Sequence, residues 1–171
     1  MPPSTPPRFL RFPVIAKGAE HLTRGYLMRR NILAYEAPPN NEGYDLICIH
    51  PDPRHSSKVV RVQVKSRYAT DSDRTFMVRE ASFGTFDFII LVSMNVGYFY
   101  DPSDPAPAGR EAVELLVLPP GVARRLYKKA KSGWNRIHTR RHNLDRYKNE
   151  RGIEQIAKAL RIPYPCRSAS R

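Results

Sequence analysis

The sequence predicts an α/β fold in which a central mixed β-sheet is flanked by helices. Three observations favour this class. A helical pattern of apolar residues begins near Pro13, short apolar runs typical of strands lie between residues 31 and 118, and two helical stretches follow the break at residues 119–121. A chain of 171 residues with 41% apolar residues is long enough for one domain with a buried core.

The first third of the chain is predicted to form one helix and three strands. The helix covers residues 13–30, where apolar side chains fall on or near one face. A short strand at residues 31–35 follows, and the prolines and asparagines of residues 38–41 form its turn. Strands at residues 44–50 and 59–66 come next. In the second of these, valines alternate with polar residues, which indicates a strand with one buried face.

The middle of the chain predicts further strands. Residues 76–78 form a short element, and the continuous apolar run at residues 86–92 is typical of a strand that is buried on both faces. Two more strands are expected at residues 97–100 and 112–118. Helices are expected at residues 122–131 and 144–160, with Trp134 in the connection between them.

This order of elements divides the chain into three parts. Residues 1–12 are a flexible, proline-rich N-terminus, residues 13–120 are the α/β core, and residues 121–171 are a basic helical extension of the same domain. We find no internal repeat. Cys48 and Cys166 lie far apart and indicate neither a disulfide framework nor a metal-binding knuckle, so we expect a reducing, cytoplasmic setting.

The positive charge is concentrated in the C-terminal part. The net charge is +13, and residues 121–171 hold 15 basic and 3 acidic residues, whereas the rest of the chain is nearly neutral. Such an excess repels itself unless a polyanion binds to it, so nucleic acid is the expected partner, ahead of an acidic protein or a membrane surface. No apolar run is long enough to span a membrane, and the absence of a glycine-rich phosphate loop argues against a nucleotide cofactor.

Two predicted strands carry a cluster of polar residues suited to a divalent cation. Gln63 and Lys65 are two residues apart and therefore project from the same face of one strand, and Asp45 lies at the start of the strand before it. Mg²⁺ prefers oxygen ligands, which Asp45, the Gln63 amide and the main-chain carbonyl of Val64 can provide. Glu20 on the first helix can add a second carboxylate. The ion would activate water, and Lys65 would orient the water or offset charge on a phosphate.

These residues resemble the PD-(D/E)-x-K nuclease superfamily. Glu20 on a first helix, Gly43–Leu46 at the opening of a strand and Gln63–Ser66 on the next strand follow its pattern over residues 13–120. This superfamily includes restriction enzymes, archaeal Holliday-junction resolvases, repair nucleases and some homing endonucleases. The resemblance implies a restriction-endonuclease-like core, Mg²⁺-dependent cleavage of DNA with Mn²⁺ as an alternative ion, and a homo-oligomer.

The sequence departs from the family pattern at two positions. Gln63 stands where the family usually has Asp or Glu, and Tyr44 stands where it has proline before the Asp. The glutamine removes one negative charge from the ion site and resembles a known Q-x-K variant of the superfamily. The main hypothesis is therefore a Mg²⁺-dependent DNA endonuclease. The alternatives are a catalytically inactive DNA-binding module with the same fold, and a nuclease that acts on RNA.

Basic residues of the C-terminal part are the candidate contacts to the phosphate backbone. His138 and His142 are four residues apart and would share one face of a helix, but no Cys or acidic residue at a matching spacing completes a zinc site, which favours a phosphate-contacting surface. Tyr127 and Trp134 serve either to stack on bases or as core residues. The predicted nucleic-acid contacts are Lys128, Lys129, Lys131, Arg136, Arg140 and Arg141.

Overall fold

The computed structural model describes residues 13–39, 41–55, 57–67, 75–95, 112–129, 135–140 and 142–164. The helices are α1 (Pro13–Met28), α2 (Pro120–Leu126) and α3 (Asn149–Ala159). The strands are β1 (Leu33–Glu36), β2 (Leu46–Ile49), β3 (Val59–Arg67), β4 (Thr75–Met77), β5 (Phe88–Ser93), β6 (Glu114–Leu118), β7 (Tyr127–Lys128) and β8 (Arg136–His138).

The central sheet has five strands in the order β1-β2-β3-β5-β6. Strand β3 pairs with β5 in parallel, and the other neighbours are antiparallel. The predicted α/β class with a mixed central sheet is therefore confirmed. Strand β5 is buried on both faces over nearly its whole length, as its unbroken apolar run predicted.

One face of the sheet is covered by α1 and α3, and we call the apolar layer between them the first core. Ala19 and Leu27 of α1 are fully buried in it, as is Ile156 of α3. Val62 and Val64 of β3 point into the same layer. Alternation along β3 therefore turns Arg61, Gln63 and Lys65 towards the opposite face of the sheet.

That opposite face packs on a second core. A three-stranded sheet in the order β4-β8-β7 lies there, together with α2 and the 3₁₀ helix Glu80–Gly84. Phe83 of the 3₁₀ helix, Ile137 of β8 and Leu126 of α2 are buried in this layer against Ile89 and other residues of the central sheet. The two cores together make the central sheet a buried middle layer.

The structure corrects the prediction that residues 121–171 are a helical extension. The helix expected at residues 122–131 ends at Leu126, because Tyr127 enters a strand that pairs with β8 and packs its ring edge-on against Phe83 at 5.0 Å. Within the described residues, this part of the chain thus supplies two strands as well as two helices. The helix expected at residues 144–160 begins only at Asn149, after a 3₁₀ turn at Asp145–Tyr147.

Helix α3 is an integral part of the first core. The Asn149 side-chain oxygen accepts a hydrogen bond from the Leu115 main-chain N–H at 2.9 Å. A Cβ atom on Gly152 would lie 2.3 Å from the carbonyl oxygen of Tyr147 and 2.8 Å from Cβ of Val117, so only glycine allows α3 to approach the sheet this closely. The C-terminal part therefore stabilises the fold besides carrying positive charge.

Other predicted elements agree with the structure to within a few residues at their ends. The predicted strand at residues 97–100, Trp134 and the proline-rich N-terminus lie outside the described residues. Among the helices that the structure describes, none is long and apolar enough to cross a lipid bilayer.

Candidate functional site

Asp45 lies immediately before β2. Two hydrogen bonds hold it against β3, one through its main chain and one through its side chain. Its main-chain N–H donates to the Val62 carbonyl at 2.9 Å. Its carboxylate accepts the main-chain N–H of Val64 at 2.6 Å. The carboxylate therefore replaces the main-chain carbonyl that a neighbouring strand would present to the Val64 N–H. This hydrogen bond fixes the carboxylate beside Val64, the residue between Gln63 and Lys65 on β3.

Gln63 is buried in the middle of β3, with only 4% of its surface exposed. Its side-chain oxygen Oε1 has no hydrogen-bond donor among the described residues. Leaving a buried carbonyl oxygen without a partner costs about 1–3 kcal/mol, so such atoms are rare in folded proteins. A bound cation is one partner that would satisfy this oxygen.

Lys65 and Val64 complete the predicted group on β3. Lys65 is half-buried and projects from the same face as Gln63. The N–H and C=O groups of one strand residue point towards the same neighbouring strand. Because the Val64 N–H binds Asp45, the Val64 carbonyl faces the Asp45 side of β3 as well.

Glu20 approaches the site from α1, on the other face of the sheet. Burial is the main cause of the raised pKa of Asp45, and the negative charge of Glu20 adds to it. Lys17, one turn earlier on α1, holds Glu20 at 2.8 Å and Glu36 of β1 at 3.3 Å. The charge of Glu20 is therefore partly balanced by Lys17, which the sequence analysis did not select.

The environment of Asp45 raises its pKa above the ordinary value of 3.8. Burial is the largest cause, because it disfavours the charged form. The Val64 N–H and the Lys65 ammonium act in the opposite direction, and the negative charge of Glu20 adds to the rise. Asp45 is thus a partly buried carboxylate that would be stabilised by a nearby positive charge.

This shift gives a prediction for the metal-free protein. Because the pKa of Asp45 is raised, the folded state binds its proton more tightly than the unfolded state does. The ionised carboxylate therefore lowers the stability of the protein at neutral pH. This destabilisation disappears as the pH falls through the folded pKa towards 3.8. In EDTA, Asp45→Asn should therefore be more stable than the wild type at neutral pH, and the difference should narrow on acidification. Denaturant titrations over a pH series measure it. A difference that widens at lower pH would mean that the pKa of Asp45 is lowered.

The donor atoms of this cluster fit a hard divalent cation. Such ions prefer oxygen ligands, and the cluster offers the Asp45 carboxylate, Gln63 Oε1 and the Val64 carbonyl, with Glu20 nearby. Among the described residues, no three Asp, Glu, His or Cys side chains converge as a ligand set. Any ion held here would therefore depend on the amide and main-chain oxygens as well as on carboxylates.

The predicted nucleic-acid contacts that the structure describes lie on and around the small sheet. Lys128 is exposed on β7, and Lys129 forms an ion pair with Glu80 at 2.8 Å. Arg136 of β8 donates a hydrogen bond to the Thr75 hydroxyl at 3.1 Å, and Arg140 is exposed just beyond β8. Lys131 and Arg141 lie outside the described residues. His138 is on a strand, so the helical pairing with His142 that was considered for zinc does not occur.

Two structural features beside the site were missed by the sequence analysis. Arg61 forms a forked ion pair with Asp87 at 3.1 Å, which ties the start of β3 to the residue before β5. Gly43 has a φ of 99° and lies so close to Thr85 that an added Cβ would meet the Thr85 side chain. A glycine in a turn sequence can indicate a positive φ. The contact between Gly43 and Thr85 joins residues far apart in the chain, and no sequence pattern indicates it.

Comparison with known proteins identifies the fold. No protein-family model and no curated protein sequence matches the chain. Among solved structures, the bacterial homing endonuclease I-Ssp6803I is similar over 88% of this chain and 96% of its own, with a TM-score of 0.54 and 15% sequence identity. The chain therefore has a fold found in a nuclease, and this identity is too low to carry more than the fold.

Proposed function

We propose that the protein is a metal-dependent DNA endonuclease that hydrolyses phosphodiester bonds at the cluster of Asp45, Gln63 and Lys65. Three findings support this function. The fold resembles that of a homing endonuclease. The Asp45 carboxylate is hydrogen-bonded to the main chain of Val64, the residue between Gln63 and Lys65 on β3. The chain also carries a large positive charge, as expected of a protein that binds a polyanion.

The observation that carries the proposal is the buried Gln63 Oε1, which lacks a donor among the described residues. A glutamine that served only the fold would have its carbonyl hydrogen-bonded or exposed to water. A cation beside Asp45 would satisfy the amide oxygen and the partly buried carboxylate together. Unsatisfied groups of this kind are expected at functional sites, where the local cost is offset when a ligand binds.

The chemistry of the site follows from its residues. Asp45, Gln63 and the Val64 carbonyl would hold Mg²⁺ or Mn²⁺, which when bound supplies an activated water and charge neutralisation at the phosphate. Glu20, which approaches from the other face of the sheet, would act on the ion through a water molecule. Lys65 projects beside Gln63, where its ammonium group offsets charge on the phosphate oxygens and orients the attacking water through a hydrogen bond. Asp45 is fixed by the Val64 N–H, so its carboxylate needs little rearrangement to act as a ligand.

The alternative function is a DNA-binding module that does not cut. The ion pair of Glu20 with Lys17 favours this alternative, because it balances the charge of Glu20. Asp45 is then the principal negative charge available to bind a cation, since Gln63 is neutral. If the protein does cut both strands of a duplex, each strand needs a site. A chain with one such site would meet this need as a homo-oligomer.

Lys65→Met tests the proposal. We expect the wild type to nick or linearise supercoiled plasmid with Mg²⁺ or Mn²⁺ and to be inactive in EDTA. Removing the Lys65 ammonium should lower the cleavage rate by about a hundredfold or more, the usual effect of losing a group that stabilises transition-state charge. The measurement is the rate of plasmid cleavage at saturating metal.

Lys58→Met is the matched control, because Lys58 is exposed just before β3 and should leave the rate unchanged. Full activity of Lys65→Met would remove Lys65 from the site. A wild type that binds DNA but cuts neither plasmid, junction nor single strands with either ion would establish the non-cutting alternative.

A further inference from the structure

One block of the molecule carries most of the excess of basic over acidic residues in the described part of the chain. It comprises the 3₁₀ helix Glu80–Gly84 and its flanking residues, α2, and the small sheet β4-β8-β7. Over residues 75–86, 119–129 and 135–140 the chain has seven basic residues and a single acidic one, Glu80. The sequence analysis selected four of the seven, and the structure adds Arg79, Arg124 and Arg125. We call this block the basic block.

The basic block is packed as one unit, so its charges keep fixed positions relative to each other. Phe83 of the 3₁₀ helix packs edge-on against Tyr127 of β7 at 5.0 Å. The Arg124 guanidinium lies over the Phe83 ring at 4.8 Å, which holds this side chain in place on the surface. The ion pair between Glu80, the first residue of the 3₁₀ helix, and Lys129, the residue after β7, also joins these two elements.

Arg124 and Arg125 are two exposed charges of this unit that form no ion pair with an acidic group of the described residues. They are neighbours on α2, and both side chains are exposed. No carboxylate of the described residues forms an ion pair with either one. Two guanidinium groups without acidic partners, one of them held over a ring, are suited to contact phosphate oxygens, because little side-chain order has to be gained on binding.

The basic block adjoins the candidate site. It covers the face of the central sheet towards which Gln63 and Lys65 project. The 3₁₀ helix leads directly to Thr85, whose side chain touches Gly43, two residues before Asp45. A ligand that lies along the basic block can therefore extend towards Asp45.

The helices on the other face differ in charge balance. On α3, Glu150 holds Arg30 at 2.6 Å and Glu154 holds Lys158 at 3.0 Å. On α1, Lys17 is shared between Glu20 and Glu36. Positive charges on that side are largely matched by acids, so it lacks the one-sided field that attracts a polyanion.

The aromatic residues of the basic block indicate which form of nucleic acid it fits. Proteins that bind single strands present exposed aromatic rings on which bases stack. In the described part of the block, Phe76, Phe83 and Phe86 are buried, and Tyr127 is half-buried against Phe83. Over its described residues, the block thus offers cations without an exposed stacking platform, which suits the backbone of a duplex.

We propose that the basic block binds the phosphate backbone of duplex DNA that flanks the cleaved bond, with Arg124 and Arg125 as central contacts. The duplex then lies on the side of the central sheet away from α1 and α3. This inference rests on the proposed function for its substrate, and it adds the surface and the residues that hold that substrate.

The test is the binding of a short DNA duplex, and of one of its strands alone, measured by fluorescence anisotropy in EDTA over a range of salt concentrations. EDTA separates binding from cleavage. Arg124→Ala/Arg125→Ala should weaken duplex binding by about tenfold or more, because two charged contacts to phosphate oxygens are lost. It should also reduce the slope of log K against log salt by about 2, because two phosphate contacts are lost.

Arg29→Ala/Arg151→Ala is the matched control. It removes the same charge from exposed positions at the end of α1 and on α3, and it should change the affinity and the slope much less. Arg125→Glu is a second variant, which does not disturb the Arg124–Phe83 contact and should weaken duplex binding while leaving the melting temperature unchanged.

Three results would overturn the inference while leaving the proposed function intact: equal losses in the two double variants, no loss in Arg124→Ala/Arg125→Ala, or full duplex affinity in Arg125→Glu. Tighter binding of the single strand than of the duplex would also overturn it. A wild type that binds neither form would remove the proposed function as well.

Discussion

Asp45→Asn should abolish metal-dependent cleavage, with a loss of about a thousandfold or more, while the fold and DNA binding persist. The asparagine oxygen can still accept the Val64 N–H that now binds the carboxylate at 2.6 Å, so the local structure is kept. The negative charge is lost, and with it the principal anionic ligand of a site in which Gln63 is neutral. A metal site stabilises charge in the transition state, so its loss removes most of the rate enhancement.

The experiment compares the cleavage rates of the wild type, Asp45→Asn and Asp145→Asn with saturating Mn²⁺. Asp145 is an exposed aspartate in the turn before α3, and its substitution controls for the loss of one negative charge. Wild-type rates in Asp45→Asn would exclude this carboxylate as a ligand. A loss in both variants would point to a general effect of net charge.

Gln63→Met should change stability and activity in opposite directions. Methionine is close to glutamine in size and shape and is apolar, so it removes the carbonyl oxygen that lacks a donor. We expect the free energy of unfolding in EDTA to rise by about 1 kcal/mol or more, since replacing an unsatisfied buried polar group is neutral to stabilising. Cleavage should fall by about a hundredfold or more, because a ligand of the ion is lost.

Denaturant titration in EDTA measures the stability, and plasmid cleavage measures the activity. A glutamine with a purely structural role would give a less stable protein with unchanged activity per folded molecule, and that outcome would contradict the proposed site. Gln63→Glu is an informative companion. A buried carboxylate at this position should destabilise the metal-free protein, and added Mn²⁺ should restore its stability.

The core of the candidate site could be predicted from the sequence because it depends on strand periodicity alone. Alternation of valines with polar residues places Gln63 and Lys65 on one face of β3, and the structure agrees. The position of Asp45 beside that strand needed only the pairing of two strands that are close in sequence. Both are local properties, and local patterns are what a single sequence records best.

The basic block could not be predicted in the same way. Strands β4, β7 and β8 have three residues or fewer, too short to show alternation, and the pairing of β4 with β8 joins positions about 60 residues apart. In the sequence, Tyr127 continues the helical pattern of α2. It is part of β7 in the structure because its ring packs against Phe83, a contact that the sequence does not show. Likewise, the contact of Lys17 with Glu20 is local, but its second contact with Glu36 depends on where β1 lies.

The most direct test of the central claim is to locate Mn²⁺ in crystals of the protein by anomalous scattering at the manganese absorption edge. We predict one peak at direct-ligand distance, about 2.1–2.3 Å, from both an Asp45 carboxylate oxygen and Gln63 Oε1, with no such peak in Asp45→Asn. A peak elsewhere, in crystals of a protein that cuts DNA with Mn²⁺ in solution, would contradict the assignment of this cluster as the active site.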